Sequence, residues 1–185
     1  MDHNEIFERE GYRFRFSLED DGSMGWPWNE HDGHGSVRTV RYQPCGQITK
    51  SPGERVLWEN GSRHHVFLYD WKGAIALAKK DGWGASVEST AGLTPGRIAE
   101  LAVQADFNRM RGYINEDWRW IGVVVELLGE EDEVVDTTSL WGIESDSNDY
   151  HQTVAFELAD ELLAPRIEAA KQRDLQREIN LAEVD

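Results

Sequence analysis

The sequence predicts an α+β fold in which an antiparallel sheet of four to five strands is packed by about three helices. Several short segments alternate apolar and polar residues with a period of two, which is typical of half-buried strands. Two segments between them carry helix caps and a helical apolar stripe. Strand and helix patterns do not alternate as βαβ units, so a parallel sheet is not expected. We expect one domain over residues 1–164 and a charged helical tail over residues 165–185.

The first strand is predicted over residues 12–18, where Tyr12, Phe14, Phe16 and Leu18 share one face. Residues 20–53 follow, and their Gly, Asp, Asn, His and Pro content predicts a long ordered loop. Two further strands are predicted over residues 54–60 and 64–69, with Gly61 in the turn between them.

Two helices can be placed from their end signals. Asp70 is an expected N-cap for a helix over about residues 71–81, and Gly82 suits the left-handed residue that ends it. Thr94 followed by Pro95 predicts a second helix that runs to about Tyr113. Its predicted inward side is Ile98, Leu101, Ala102, Ala105 and Met110, widened by Val103 and Phe107.

The most apolar segment is WRWIGVVVELL, residues 118–128, which we expect to be a central strand. The polar run GEEDE then turns into a partner strand, Val134 to Trp141, as an antiparallel hairpin. Tyr150, Val154, Leu158 and Leu162 predict a last helix, which Pro165 should interrupt. We expect Trp71, Trp118, Trp120 and Trp141 to be core residues and Trp83 to lie near the surface.

The composition limits the compartment and the ligand class. The hydrophobic fraction of 39%, with eight tryptophans, argues against disorder. A single cysteine, Cys45, excludes an internal disulfide framework and favours a reducing cytoplasm. No apolar run approaches the roughly 20 residues that span a bilayer, and the charged N-terminus lacks a secretory signal pattern. We expect no membrane association.

The net charge of −16 is concentrated in one segment. Residues 116–161 hold 14 acidic side chains and one basic one, Arg119, and so carry −13. Such a charge disfavours direct nucleic-acid binding, which needs a surplus of Lys and Arg. The ordinary interpretation is a solvated surface that keeps the protein soluble. The functional hypothesis is one negative face that contacts a partner, formed by Glu130, Glu131, Asp132, Glu133, Asp136, Glu144, Asp146, Asp149, Glu157, Asp160 and Glu161.

WPWNEHDGHG, residues 26–35, is the candidate metal-binding segment. His31 and His34, with Glu30, Asp32 and, as a further candidate, Cys45, include ligand types that zinc accepts. A structural zinc site normally needs four ligands, so a lone H-x-x-H is a weak signal. The favoured interpretation is an aromatic-anchored turn: Trp26 and Trp28 dock on the core, and Gly33 and Gly35 adopt positive φ. We therefore expect no cofactor, with zinc on His31 and His34 as the alternative.

The sequence contains no catalytic motif that would identify a reaction. The chain has no G-x-S-x-G, no phosphate-binding P-loop and no H-E-x-x-H. Glu130 and Glu131 lie in a predicted turn, where carboxylates stay solvated and are poor general acids or bases. A non-enzymatic protein is the favoured expectation.

Five segments resemble a family of small proteins encoded by bacteriophages and prophages. They are WPWNEHDGHG (26–35), PGERVL (52–57), KKDGWG (79–84), DWRWIGVVVELL (117–128) and SLWGIESDSNDYHQTVAFELADELL (139–163). The resemblance implies an origin and no catalytic residue. Small acidic phage proteins often block host defence enzymes that handle nucleic acid. The resemblance therefore implies that the partner is a host defence enzyme of this kind.

The leading hypothesis is therefore an acidic phage protein in the host cytoplasm that inhibits a nucleic-acid-processing or anti-phage defence factor. Its expected partner is a host protein with a basic nucleic-acid-binding surface, which the acidic face would contact. Imitation of DNA is one form that this contact could take. Two alternatives stay open. One is a metal-dependent enzyme that uses the His31/His34 loop. The other is an accessory phage protein whose acidity only provides solubility.

Overall fold

The computed structural model describes residues 4–30, 33–41, 47–60, 65–84 and 92–182. The α+β class is confirmed: the described part of the chain forms seven strands in two antiparallel sheets, with four helices. The chain divides into two compact units, unit 1 (Met1–Ser23 and Arg119–Asp185) and unit 2 (Met24–Trp118). The sequence predicted a single sheet, because a period of two identifies a strand without identifying the sheet that it joins. The predicted domain limits stay a prediction.

Unit 1 contains a four-stranded sheet in the order β1-β2-β6-β7. The strands are β1 (Glu5–Arg9), β2 (Tyr12–Asp20), β6 (Trp120–Leu128) and β7 (Val134–Glu144). Strand β1 was not predicted. It pairs with β2 through a tight turn at Glu10 and Gly11, both of which have positive φ. The central position predicted for β6 is confirmed, since it pairs with both β2 and β7.

One long helix, α4 (Tyr150–Ala182), packs against this sheet. The core between them contains Phe14, Val123 and Val125 from the sheet and Val154 and Leu158 from the helix, all almost fully buried. Full burial of a side chain of this size contributes about 1.5–3 kcal/mol. This apolar contact therefore decides which face of α4 meets the sheet.

The prediction that Pro165 interrupts the last helix is wrong, because α4 continues through it. Proline removes one backbone donor from the helical ladder. The neighbouring Arg166 donates its guanidinium N–H to the backbone oxygen of Leu162 at 2.9 Å. A side chain thus satisfies a carbonyl next to the break, and the apolar residues on both sides keep the helix on the sheet.

Unit 2 contains a three-stranded sheet in the order β3-β5-β4. The strands are β3 (Val37–Arg41), β4 (Glu54–Asn60) and β5 (His65–Asp70), with the short helix α1 (Pro27–Glu30) before them. Strand β5 is central, and its residues 66–69 are all buried. The prediction that residues 20–53 form a loop is wrong at α1 and β3. Both segments are short and largely polar, so neither shows a clear helical or strand periodicity.

Helices α2 (Trp71–Asp81) and α3 (Pro95–Ile114) have the predicted ends. The Asp70 side chain accepts the Gly73 N–H at 2.9 Å, and Gly82 ends α2 in the left-handed conformation. Thr94 accepts the Arg97 N–H at 3.3 Å at the start of α3. The buried side of α3 is shifted from the predicted one and consists of Ala99, Ala102, Val103, Phe107 and Met110. None of the described helices combines the length and apolar character that crossing a membrane requires.

Candidate functional site

Unit 1 carries the whole net charge of the protein. It contains 24 of the 35 Asp and Glu residues and 8 of the 19 Lys and Arg residues, a net charge of −16. Unit 2 contains the remaining 11 acidic and 11 basic residues and is neutral. The acidity is therefore a property of one structural unit.

The predicted acidic residues all belong to unit 1, but the fold separates them into groups. Residues 130–133 form the turn between β6 and β7, whereas residues 144–149 begin with the last residue of β7 and lie at its opposite end. Strand β7 has 11 residues and so spans about 33 Å, which is several Debye lengths at physiological salt. Three more acids, Glu157, Asp160 and Glu161, lie on α4. The two ends of β7 therefore act as separate negative regions.

Arginine side chains neutralise three of these acids. Arg13 pairs with Asp132 at 2.5 Å, Arg166 with Asp136 at 3.1 Å, and Arg9 with Asp160. Such exposed pairs contribute little stability, about 0–1 kcal/mol, but each removes one unit of local charge. In the described part of the chain, the exposed predicted acids without an ion pair are Glu130, Glu131, Glu133, Asp149, Glu157 and Glu161. The Glu133 carboxylate accepts the Glu131 N–H within the turn at 3.0 Å.

Strand β7 between the two acidic ends is an edge strand with an apolar surface. It pairs with β6 on one side, and no other strand of the described residues pairs with its second side. Edge strands present unpaired N–H and C=O groups, and proteins commonly protect them with Lys or Pro. Strand β7 contains neither. Its exposed apolar side chains are Val134, Val135, Leu140 and Trp141.

Trp141 was predicted to be a core residue, and this is wrong: 44% of it is exposed. Its indole ring lies directly over Gly122 of β6, where any Cβ atom would collide with the ring. Its Nε1 donates to the Ser139 hydroxyl at 2.9 Å. The next residue, Gly142, has positive φ and donates its N–H to Asp21 at 3.0 Å. Trp141 is therefore an exposed aromatic side chain held in one orientation.

The predicted metal ligand His34 has a different partner in unit 2. His31, Asp32 and Cys45 lie outside the described residues. The Nδ1 atom of His34 is 2.6 Å from Oδ1 of Asp106, a residue of α3. Among the described residues, no three potential ligands are grouped in a way that could hold a metal ion. The structure therefore places His34 in a carboxylate–imidazole pair.

Asp106 accepts two further hydrogen bonds through its second carboxylate oxygen. Oδ2 accepts the Gly35 N–H at 2.9 Å and the Tyr69 hydroxyl at 2.5 Å. The Asp106 side chain is 7% exposed and Tyr69 is fully buried. Burial, with the adjacent carboxylate of Asp106, raises the pKa of Tyr69 far above its usual range. The Tyr69 hydroxyl therefore stays protonated and acts as a donor. Asp106, a residue of α3, connects that helix to the loop at residues 33–35 through its hydrogen bonds with His34 and Gly35.

The predicted positive φ at Gly33 and Gly35 is wrong, since neither is among the glycines with positive φ. Gly35 has a different reason to be glycine: a Cβ there would overlap the Tyr69 ring. At Gly33 the same added atom would meet nothing within 4 Å. The second glycine of HDGHG is required by close approach, and the first is not.

Sequence reasoning found His34 but missed Asp106 and Tyr69. Asp106 lies 72 residues from His34 and 37 from Tyr69. The only signal at Asp106 is an acidic residue within the wide apolar arc of α3, next to Phe107. Comparison of the chain with protein-family models, curated proteins and solved structures finds no match. The function must therefore be argued from the chain's own geometry.

Proposed function

We propose that unit 1 is an interaction module that binds a basic segment of a partner protein along strand β7. The observation that carries this proposal is the charge division, −16 on unit 1 and zero on unit 2. A field of one sign attracts a basic partner and accelerates the encounter at low salt. The partner in the cell is proposed to be a host cytoplasmic protein with a basic nucleic-acid-binding surface, whose activity is blocked by occupation of that surface.

Trp141 supplies the apolar anchor of the proposed contact. Tryptophan is enriched among residues that dominate binding energy, especially when it is rigid and centrally placed. Trp141 is exposed, held over Gly122, and lies on the edge strand between the two acidic ends. The arginine pairs at Asp132, Asp136 and Asp160 argue against a continuous imitation of duplex DNA. The proposal is accordingly a protein contact with two charged ends and an apolar centre.

The test measures the affinity of the protein for a short peptide in which lysine alternates with threonine and valine, a pattern that favours an extended strand. The control peptide has glutamate in place of each lysine. The lysine peptide should bind and the glutamate peptide should not, and higher salt should weaken binding. The double change Glu130→Lys/Glu131→Lys should lower the affinity by about tenfold. The matched control is Glu5→Lys/Glu8→Lys, an equal charge change on β1 at the other edge of the sheet. Equal losses in both variants would contradict a contact at β7.

The apolar anchor has its own matched pair. Trp141→Ala should lower the affinity about thirtyfold, as expected for a residue that contributes about 2 kcal/mol. Trp26→Ala removes a similarly exposed tryptophan from unit 2 and should leave the affinity unchanged. If both substitutions had the same effect, Trp141 would not be the anchor.

Zinc binding by His31 and His34 is a separate proposal with a separate test. Chelator-treated protein is titrated with zinc by calorimetry, and His34→Gln is titrated in parallel. Binding heat that is lost in the variant would support a metal site, and no heat in either protein would remove it.

A further inference from the structure

The hydrogen bonds at one end of strand β6 show which of its residues bond to β7 and which to β2. The Ser145 N–H, which follows β7, donates to the Arg119 carbonyl at 2.9 Å. The Asp21 N–H, which follows β2, donates to the next carbonyl, that of Trp120, at 3.0 Å. This alternation continues along an antiparallel strand. The odd-numbered residues of β6 therefore bond to β7.

Strand β7 turns the main-chain groups of Thr137 and Ser139 to its open edge, the side that does not pair with β6. Thr138 lies opposite the odd-numbered residue Val125 and therefore bonds to β6. Its two neighbours bond in the other direction, where no further strand of the described residues pairs with β7. Both neighbours are exposed. The regular part of this edge ends before Gly142, where the pairing shifts register and the backbone has positive φ.

The Thr137 N–H gives independent support for this direction and shows what an added strand would replace. It donates to Oδ1 of the neighbouring Asp136 at 3.0 Å, so it does not point at β6. Arg166 pairs with the other carboxylate oxygen of Asp136 at 3.1 Å. An incoming main-chain carbonyl can therefore take the place of the carboxylate at this N–H, and Asp136 keeps its ion pair.

We infer that the basic segment bound by unit 1 joins its four-stranded sheet as a further strand, through main-chain hydrogen bonds to Thr137 and Ser139. This inference rests on the function proposed above and adds the way in which the segment is recognised. Strand addition at an open sheet edge is a recurrent mode of peptide binding, in which main-chain bonds supply the affinity. Strand β7 suits it because it contains neither Lys nor Pro. The acidic residues at both of its ends are complementary to basic side chains of the segment. The element that is recognised on the partner is therefore an extended basic stretch of chain.

The test compares two N-methylated forms of the lysine peptide, since N-methylation removes a main-chain donor without changing the charge. Methyl groups on alternate residues leave one edge of an extended peptide complete. The same number of methyl groups on consecutive residues interrupts both edges. The first form should keep most of the affinity of the unmethylated peptide, and the second should bind at least about tenfold more weakly.

A pair of variants tests the same contact from the protein side. Proline is accepted in an edge strand where the N–H faces away from the sheet, so Thr137→Pro removes one donor of the open edge and keeps the pairing with β6. It should lower the affinity for the lysine peptide by at least about tenfold. Thr137→Ala is the matched control, because it removes the same hydroxyl group and keeps the N–H. Circular dichroism shows whether both variants are folded, and the methylated peptides decide the question if Thr137→Pro is not.

The outcomes separate this inference from the proposed function. Equal affinity of the two methylated peptides, or of the two folded variants, would overturn strand addition. The proposed function would survive that result if the unmethylated peptide still bound and still responded to Glu130→Lys/Glu131→Lys. No binding of the unmethylated peptide would overturn the proposed function, and this inference with it.

Discussion

Gly35→Ala should destabilise unit 2 strongly, because the new methyl group has no space. It would overlap the hydroxyl end of Tyr69 and lie 2.7 Å from its Cε2 atom. The ring cannot retreat, since it is fully buried and packed edge-on against Phe107 at 5.4 Å between centroids. Overpacking costs about 1–3 kcal/mol. Displacing the loop also removes the Gly35 N–H bond to Asp106, and hydrogen bonds to charged groups contribute about 1.5–3 kcal/mol.

The expected loss is therefore about 3 kcal/mol or more, a large fraction of the roughly 5–15 kcal/mol that stabilises a typical domain. The control is Gly33→Ala, two residues earlier, where the added atom meets nothing within 4 Å. Its free energy of unfolding should change by no more than about 1 kcal/mol, in the stabilising direction. Urea unfolding followed by tryptophan fluorescence measures both variants. A Gly35→Ala protein that loses less than about 1 kcal/mol would refute the reasoning.

Three further substitutions test single contacts. The pKa of Tyr69 is raised in the folded state, so the neutral Tyr69 hydroxyl stabilises the fold below about pH 10. This contribution to the free energy of unfolding is lost as the pH rises above that value. Stability measured across that range should fall more in the wild type than in Tyr69→Phe. Hydrogen bonds from the Arg38 guanidinium, and a weaker effect of the Ser51 N–H, lower the pKa of Glu54, whereas burial of the carboxylate acts in the opposite direction. The advantage of the wild type over Glu54→Gln, about 1 kcal/mol at neutral pH, should therefore shrink as pH falls below the usual glutamate range. Pro165→Ala restores a backbone donor to α4 and should raise stability by about 1–3 kcal/mol, with slower amide exchange near residue 165.

The elements that could be predicted closely are those whose limits depend on local chemistry. Helix α2 has its predicted ends because Asp70 caps one end and Gly82 takes the left-handed conformation at the other. The same holds for Thr94 and Pro95 at the start of α3. Caps act within four residues, so a single sequence contains all the information that is needed.

The features that could not be predicted depend on contacts between distant segments. Trp141 continues the apolar pattern of β7, and nothing local indicates that its ring would lie outside, over a glycine of the neighbouring strand. Asp106 has the sequence context of an ordinary helix residue, and its function as an acceptor for three donors depends on strand β5 and the loop at residue 34. The division of strands between two sheets is a long-range choice of the same kind.

The division of charge between the units leads to a salt test of the contact proposed for unit 1. A basic peptide at unit 1 is attracted by many carboxylates acting over distance, so its affinity should fall steeply as salt is raised. The proposed contact of the peptide with the Trp141 ring is apolar and is not screened by salt. The factor by which Trp141→Ala lowers the affinity should therefore stay nearly constant over the range of salt in which the affinity itself falls. If that factor shrank in parallel with the affinity, diffuse electrostatics would account for the binding, and Trp141 would make no specific contact.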